Sequence, residues 1–157
     1  MKRIIVITSC ASLLVGAAVA GGARAPSESS EPTWPLAAKL LGKNEISPTG
    51  KRNAGDRDGR GHASVSGRGT RICVALAYKD LGTITGAHIH RGRANQNGPI
   101  VVPLATPTNG ALGASASCHT VAASLSKAIV RNPSGFYVNI HTTAFPNGAI
   151  RGQLKRA

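Results

Sequence analysis

The stretch GFYVNIHTT, residues 135–143, shows the pattern from which the fold is predicted. Apolar side chains recur at every second position, at Phe136, Val138 and Ile140. Because successive side chains of a β-strand point to opposite faces, this alternation predicts a strand with one buried face. The intervening side chains are then expected on the opposite face: Tyr137, Asn139 and His141.

The same two-residue period recurs on both sides of this stretch, from Trp34 onward. Its apolar positions are Leu36, Ala38 and Leu40; Ala63 and Val65; Ile72, Val74, Leu76 and Tyr78; Ile100, Val102 and Leu104; and Ile150, Gly152 and Leu154. Gly, Pro and Asn separate these runs. Several short alternating strands with turn residues between them predict an all-β domain, an antiparallel sandwich or barrel.

One segment has helical spacing instead. In residues 120–131, TVAASLSKAIVR, the apolar side chains are Val121, Leu125, Ala128 and Ile129, and Asn132-Pro133 ends the run. Apolar residues three or four positions apart lie on one face of a helix. We therefore expect one short helix added to the β-sheet domain.

The N-terminal segment has the pattern of a secretory signal peptide. Lys2 and Arg3 precede an apolar run over residues 4–20, and small residues follow at Ala20 and Ala25. A charged start, a short apolar middle and an A-x-A ending are typical of cleaved signals. We predict a signal peptide over residues 1–25, cleaved after one of those two alanines, and a secreted protein with no membrane span after cleavage.

The rest of the chain divides into a leader and one domain. Residues 26–34 are polar, contain proline and show no periodicity, so they are expected to be a flexible leader. The domain then covers residues 35–157.

Two cysteines remain in the domain, Cys73 and Cys118, once Cys10 is removed with the signal. An even pair in an exported chain predicts a disulfide, which would add about 4 kcal/mol to the free energy of unfolding on the chain-entropy model. The alternative, thiolate metal ligands, lacks a CxxC spacing.

The chain is strongly basic, with 19 Lys and Arg, 6 Asp and Glu and a net charge of +13. Lys2, Arg3 and Arg24 leave with the predicted signal, so the mature charge is +10. Such a charge suits an anionic cell-wall or matrix polymer as a partner, although a simply solvated basic surface is the alternative. Nucleic acid is not expected, because no aromatic side chains interleave with the densest basic group to stack on bases. That group is Lys51, Arg52, Arg57, Arg60, Arg68 and Arg71.

Histidines mark the candidate site. In GAHIHRG, residues 86–92, the alternation places His88 and His90 on the face opposite Ala87 and Ile89. His141 is expected on the same outward side of its own strand. These histidines are candidates for metal ligands or for side chains that hydrogen-bond and brace the neighbouring loops.

Two longer blocks of the sequence resemble a known family. GAHIHRGRANQNGPIVVPL, residues 86–104, and NPSGFYVNIHTTAFPNGAIRGQL, residues 132–154, are similar to the two most specific blocks of the CHRD domain, the module first described in chordin. The resemblance covers about residues 35–155, and a less typical NEISP at residues 44–48 replaces the usual opening element. It implies a stand-alone secreted bacterial-type member with an Ig-like or SOD-like Greek-key β-sandwich.

A more distant resemblance, to Cu/Zn superoxide dismutases, implies a specific site. It makes His88, His90 and His141 copper ligands, with Arg151 near the open position as an anion guide, unless that arginine is structural. A fourth ligand would come from His119 or His62. The short loop at residues 91–98 has neither His nor Asp, so the zinc site of those enzymes is missing.

Three functional classes stay open on this basis. The first is a non-enzymatic extracellular binding or structural module, which the sequence favours over an enzyme and for which it predicts no catalytic residue. The second is a copper-binding protein with superoxide dismutase-like activity. The third is adhesion to an anionic polymer, which salt would weaken. No nucleophile elbow or phosphate-binding loop supports another enzyme class.

Overall fold

The computed structural model describes residues 34–110 and 112–157, so the predicted signal peptide and most of the predicted leader lie outside the described residues. The strands are β1 Leu36–Leu41, β2 Arg60–Arg68, β3 Arg71–Lys79, β4 Ile84–Arg91, β5 Ile100–Pro103, β6 Leu112–Thr120, β7 Phe136–Thr142, β8 Ile150–Gln153 and β9 Lys155–Arg156. A helix, α1, spans Ala123–Arg131, and short 3-10 turns span Gly42–Asn44 and Pro133–Gly135. Within the described part of the chain, no helix is long and apolar enough to cross a bilayer.

All nine strands belong to one antiparallel sheet, which curls into a nearly closed structure. The order is β5-β4-β7-β8-β1-β2-β3-β6, and β9 pairs with β1 beside this path. The all-β class with one short helix is therefore confirmed. The strands follow one continuous path of pairing, rather than two separate sheets that face each other.

The core fills the inside of this sheet with the side chains that the two-residue period selects. β1, β2 and β3 bury alternate residues, and Ile129 of α1 adds a fully buried side chain from outside the sheet. The innermost positions include Leu36, Leu40, Val65, Ile72, Ile89, Val138, Ile140 and Ile150. Burial of these chains at about 25 cal/mol per Å² is the main stabilising term for the fold.

The predicted disulfide is confirmed, and it joins a strand that the periodicity did not reveal. Cys73 of β3 and Cys118 of β6 lie directly opposite each other in the pairing register. The sequence LGASASCHT of β6 alternates only small side chains, so it has no apolar face for the pattern to detect. Its place in the sheet comes from pairing with β3 along all nine residues.

One predicted alternation is interrupted. Ile100 was expected to share the buried face with Val102, but Ile100 is 52% exposed while Val102 is 1% exposed. The pairing of β4 with β5 shifts register between Ile89 and His90, which is the mark of a β-bulge. The extra residue of the bulge is Val101 of β5, and the shift leaves Ile100 outside the core.

Candidate functional site

The three outward histidines of the site come together across the β4–β7 pair. His90 lies opposite Tyr137, His88 opposite Asn139, and His141 opposite Gly86, so all three rings share the outer face of two neighbouring strands. The ring centroids are 5.0 Å apart for His88 and His141, 5.6 Å for His88 and His90, and 6.4 Å for His90 and His141. One nitrogen of each ring lies within 4.8 Å of the others.

Backbone carbonyls fix two of these rings through their Nδ1 atoms. The Nδ1 of His90 donates to the carbonyl oxygen of Gly98 at 2.8 Å, and the Nδ1 of His141 donates to that of Pro146 at 2.9 Å. Because a carbonyl oxygen only accepts, each Nδ1 carries the proton, and Nε2 of a neutral His90 ring keeps its lone pair. A carbonyl that holds the second nitrogen is the usual support for a metal-binding histidine.

Two nitrogens in the cluster are buried without a partner. Among the described residues, Nδ1 of His88 and Nε2 of His90 make no hydrogen bond although solvent does not reach them. Leaving a buried polar atom unpaired costs about 1–3 kcal/mol, so such atoms call for an explanation. An ion bound between the rings is the simplest partner for both.

The electrostatics of the cluster favour neutral imidazole. Burial, together with the charges of His141 and His90, lowers the pKa of His88 to about 4. Burial also lowers the pKa of His90, against a hydrogen bond to Gly98 that raises it. At neutral pH both rings are therefore unprotonated, which is the form that binds a metal ion.

Gly86 keeps the approach to the cluster open. A Cβ atom built there would lie 3.3 Å from Cε1 of His88 and 3.6 Å from its Nε2. Gly86 also faces His141 across the strand pair, so any larger side chain would extend over the rings. The space above His88 and His141 thus depends on a residue without a side chain.

Tyr137 and Arg151 form a stack behind His90. The Tyr137 and His90 rings are stacked, with their centroids 4.7 Å apart. On the other side of the tyrosine ring, the guanidinium carbon of Arg151 lies 3.4 Å from the ring centroid. Arg151 is 1% exposed, and its nitrogens donate to Asn97 Oδ1 at 3.0 Å and to the carbonyls of Arg93 and Gln96. It therefore binds the loop at residues 91–98 to the sheet, which favours the structural one of its two predicted roles.

A buried carboxyl lies next to this stack. Glu45 is 2% exposed, its Oε1 has no hydrogen-bond partner among the described residues, and burial raises its pKa to about 7. The Arg151 charge and the Asn139 amide lower that pKa only in part. Asn139 also contacts Nε2 of His141 at 3.2 Å through its Oδ1, so it connects Glu45 with the cluster.

The two candidates for a fourth ligand lie elsewhere. His62 is exposed on β2, opposite Ala77 of β3, and the Nε2 of His119 on β6 is 2.7 Å from Ser117 Oγ. Neither belongs to the histidine cluster of the described residues. The structure thus brings together His88, His90 and His141 and leaves His62 and His119 apart from them.

The sequence could indicate some of the supporting residues but not others. Tyr137 and Asn139 share the period-two face of His141, so the alternation already placed them beside it. The remaining contacts depend on how the loops fold back, and no local pattern predicts this. They are the carbonyls of Gly98 and Pro146 and the side chain of Glu45.

Comparison with known proteins agrees with the two sequence blocks. The family model of the CHRD domain matches residues 36–154, which include every strand except β9. Comparison with curated proteins and with solved structures gives no significant match. Because the family match covers most of the chain, the protein belongs to the CHRD-domain family.

Proposed function

We propose that this CHRD protein is an exported, non-enzymatic binding module that holds one transition-metal ion between His88, His90 and His141. The observation that carries the metal site is a pair of buried imidazole nitrogens with no hydrogen-bond partner among the described residues, Nδ1 of His88 and Nε2 of His90. Both rings belong to the cluster in which one nitrogen of each ring lies within 4.8 Å of the others. Export is supported by the signal-peptide pattern of residues 1–25.

The separation of the rings is compatible with this role. Three atoms within 4.8 Å of one another share a point at most about 2.8 Å from each, and a Zn–N bond is about 2.0–2.1 Å. Small side-chain rotations therefore close the remaining gap. The carbonyls of Gly98 and Pro146 keep two of the rings oriented while this happens.

The ligand chemistry selects a class of ions. Imidazole suits Zn²⁺, Cu²⁺ and Ni²⁺, whereas Ca²⁺ and Mg²⁺ require oxygen ligands, and the cluster contains no carboxylate. Three protein ligands leave at least one coordination position for water or a partner group. Copper, the ion that the superoxide dismutase resemblance implies, is one member of this class and is tested with the others.

A binding role is better supported than a redox cycle. The guanidinium nitrogens of Arg151 donate to the loop at residues 91–98 and lie against Tyr137, so this arginine does not present its charge to an anion above the histidines. Copper-loaded protein with superoxide dismutase activity is the second candidate function, supported by the three converging imidazoles. A superoxide assay of the copper-loaded protein separates the two.

The experiment compares His88→Ala with His62→Ala. His88 makes no hydrogen bond through its buried Nδ1, so its removal leaves no broken bond, and His62 is an exposed histidine outside the cluster. Titration with Zn²⁺, Cu²⁺ and Ni²⁺ by calorimetry, with EPR for copper, should give one site in wild type and in His62→Ala. The affinity should fall at least tenfold in His88→Ala, and in a second cluster variant, His141→Ala.

Equal affinity in all four proteins would contradict the proposal. In that case the histidines only brace the loops, and the function is a metal-free binding module. Unfolding curves without metal check that each variant is folded. Because His88 makes no hydrogen bond to any described residue, His88→Ala should retain the stability of the wild type or exceed it.

A further inference from the structure

A second surface of the protein, far along the sheet from the histidines, is positively charged. It is the outward side of β1, β2, β3 and β6, here called the basic face. These four strands, together with β9, contain no Asp or Glu. The cations on the outward side are Lys39, Arg60, Arg68, Arg71 and Lys79, with Lys155 of β9 beside β1.

Like charges are placed directly opposite each other at both ends of the basic face. Arg60 pairs with Lys79 at one end, and Arg68 pairs with Arg71 at the other. Like-charged partners in neighbouring strands repel and reduce stability. The Nζ of Lys79 lies 3.7 Å from one exposed acidic side chain, that of Asp80. Arg71 is itself exposed. An anion that lies along β3 can therefore reach an exposed cation at each end of the strand, Arg71 and Lys79.

Between the two charged ends the surface is lined by small side chains. The outward residues there are Ala37, Ser64, Ser66, Cys73, Ala75, Ala77, Ala114, Ala116 and Cys118, with the exposed imidazole of His62 among them. A shallow cavity of about 450 Å³ opens over the disulfide in this floor. The charged pairs at the ends are eight residues apart along β2, or about 26 Å at the rise of a strand.

We propose that the basic face binds a linear, negatively charged polysaccharide that lies along β2 and β3 across the disulfide. Carboxylate or sulfate groups at the two ends of the bound segment pair with the cations, and sugar rings lie on the Ala and Ser floor. The site is separate from the histidine cluster, so it does not depend on the metal proposal.

Charge and surface composition favour this partner over others. A second copy of the chain carries the same large positive charge and is repelled. Single-stranded nucleic acid needs aromatic platforms for its bases, and the outward residues of the basic face include none beyond His62. An anionic membrane favours apolar side chains that insert, and Leu112, at the edge, is the one large exposed apolar residue of these strands.

The test measures binding of oligogalacturonates of increasing length at low and high salt. Affinity should rise with length until the oligomer spans about 26 Å, and it should fall steeply with salt. Arg71→Glu with Lys79→Glu, one charge at each end of β3, should weaken binding on the order of tenfold or more. The matched control, Lys51→Glu with Lys127→Glu, changes the net charge equally at exposed positions outside the face.

A single substitution in the floor separates local contact from overall charge. Ala75→Glu adds a carboxylate at an exposed position in the middle of the face and should also weaken binding, whereas Ser124→Glu on α1 should not. Equal losses in the face variants and their controls would overturn the proposal, because they would show only nonspecific attraction. Tighter binding to oligodeoxythymidylate or to phosphatidylserine vesicles than to any oligogalacturonate would overturn it in favour of those partners.

Discussion

Two regions of the outer surface of this sheet follow the same alternation but lie in opposite environments. Their side chains are covered in one region and exposed in the other. On β4, β7 and β8 several outward side chains are polar yet buried, as Asn139 at 3% exposure and Arg151 at 1% show. On β2 and β3 the outward side chains are small or basic and exposed. The difference comes from the loop at residues 91–98, which Arg151 holds over the first face.

This contrast shows what loop coverage does to the chemistry of a strand. On the covered face, burial raises the pKa of Glu45 to about 7, and two histidine nitrogens have no hydrogen-bond partner among the described residues. On the uncovered face the outward side chains of β3 are mostly exposed, and the cross-strand disulfide adds stability. Burial therefore gives the covered face ligand chemistry, whereas exposure leaves the other face suited to long-range charge interactions.

The largest expected effect is on the uncovered face. Cys73→Ala with Cys118→Ala opens a link between residues 45 positions apart and should lower the free energy of unfolding by about 4 kcal/mol. Urea unfolding with and without reductant measures this change. Reductant should destabilise the wild type by a similar amount and leave the double variant unchanged. A loss below about 1 kcal/mol would mean that pairing between β3 and β6 is sufficient without the bond.

The next effect belongs to the covered face and depends on pH. The folded protein holds the Glu45 proton more tightly than the unfolded chain, because the pKa rises from 4.5 to about 7. The unfolding free energy should therefore fall as pH rises from about 4.5 to 7, by on the order of 3 kcal/mol, and stay lower above pH 7. Glu45→Gln should remove this fall.

Urea unfolding of both proteins between pH 4 and 8 tests this prediction. The lowered pKa of His88 acts in the opposite direction, since it adds stability as pH rises from about 4 to 6.5. That contribution is common to the two proteins and cancels in their difference. Parallel curves would contradict the prediction, because they would show that the pKa of Glu45 is the same in the folded and unfolded states.

The smallest effect compares one side chain from each face. Tyr137→Phe removes the hydroxyl that accepts a hydrogen bond from the Gly98 amide at 3.2 Å and should cost about 1 kcal/mol. Ala77→Thr, at an exposed position of β3, should change stability by less than about 0.5 kcal/mol. Thermal unfolding of the two variants measures both losses of stability. Equal losses would contradict the difference between the covered and the uncovered face at these positions.

The alternation in the sequence predicted the inner side of the sheet well. Phe136, Val138 and Ile140 are buried as expected, and α1 ends at Arg131, the last residue of the predicted helix. The helix begins at Ala123 rather than at Thr120, because β6 continues to Thr120 in its pairing with β3. The period also missed β6 itself, because a strand of Ala, Ser and Gly has no apolar side to mark it.

The site was predicted in part, for a physical reason. The two-residue period fixes which side of a strand a histidine occupies, so His88, His90 and His141 were correctly placed on the outer face. It carries no information on which loop covers that face. Glu45, Gly98 and Pro146 reach the cluster only through the folded loops, and His62 and His119 stay away from it because their strands lie at the other end of the sheet.

The position of β1 in the sheet has a consequence for how fast the protein folds. Leu41 pairs with Arg151, 110 residues later, and Leu36 pairs with Arg156. Closing such distant pairs costs loop entropy before any contact is gained, which places the protein among slowly folding, high-contact-order chains. A nascent chain that still lacks residues 150–156 has β1 paired with β2 alone, so the sheet reaches its final form only once those residues have been synthesised.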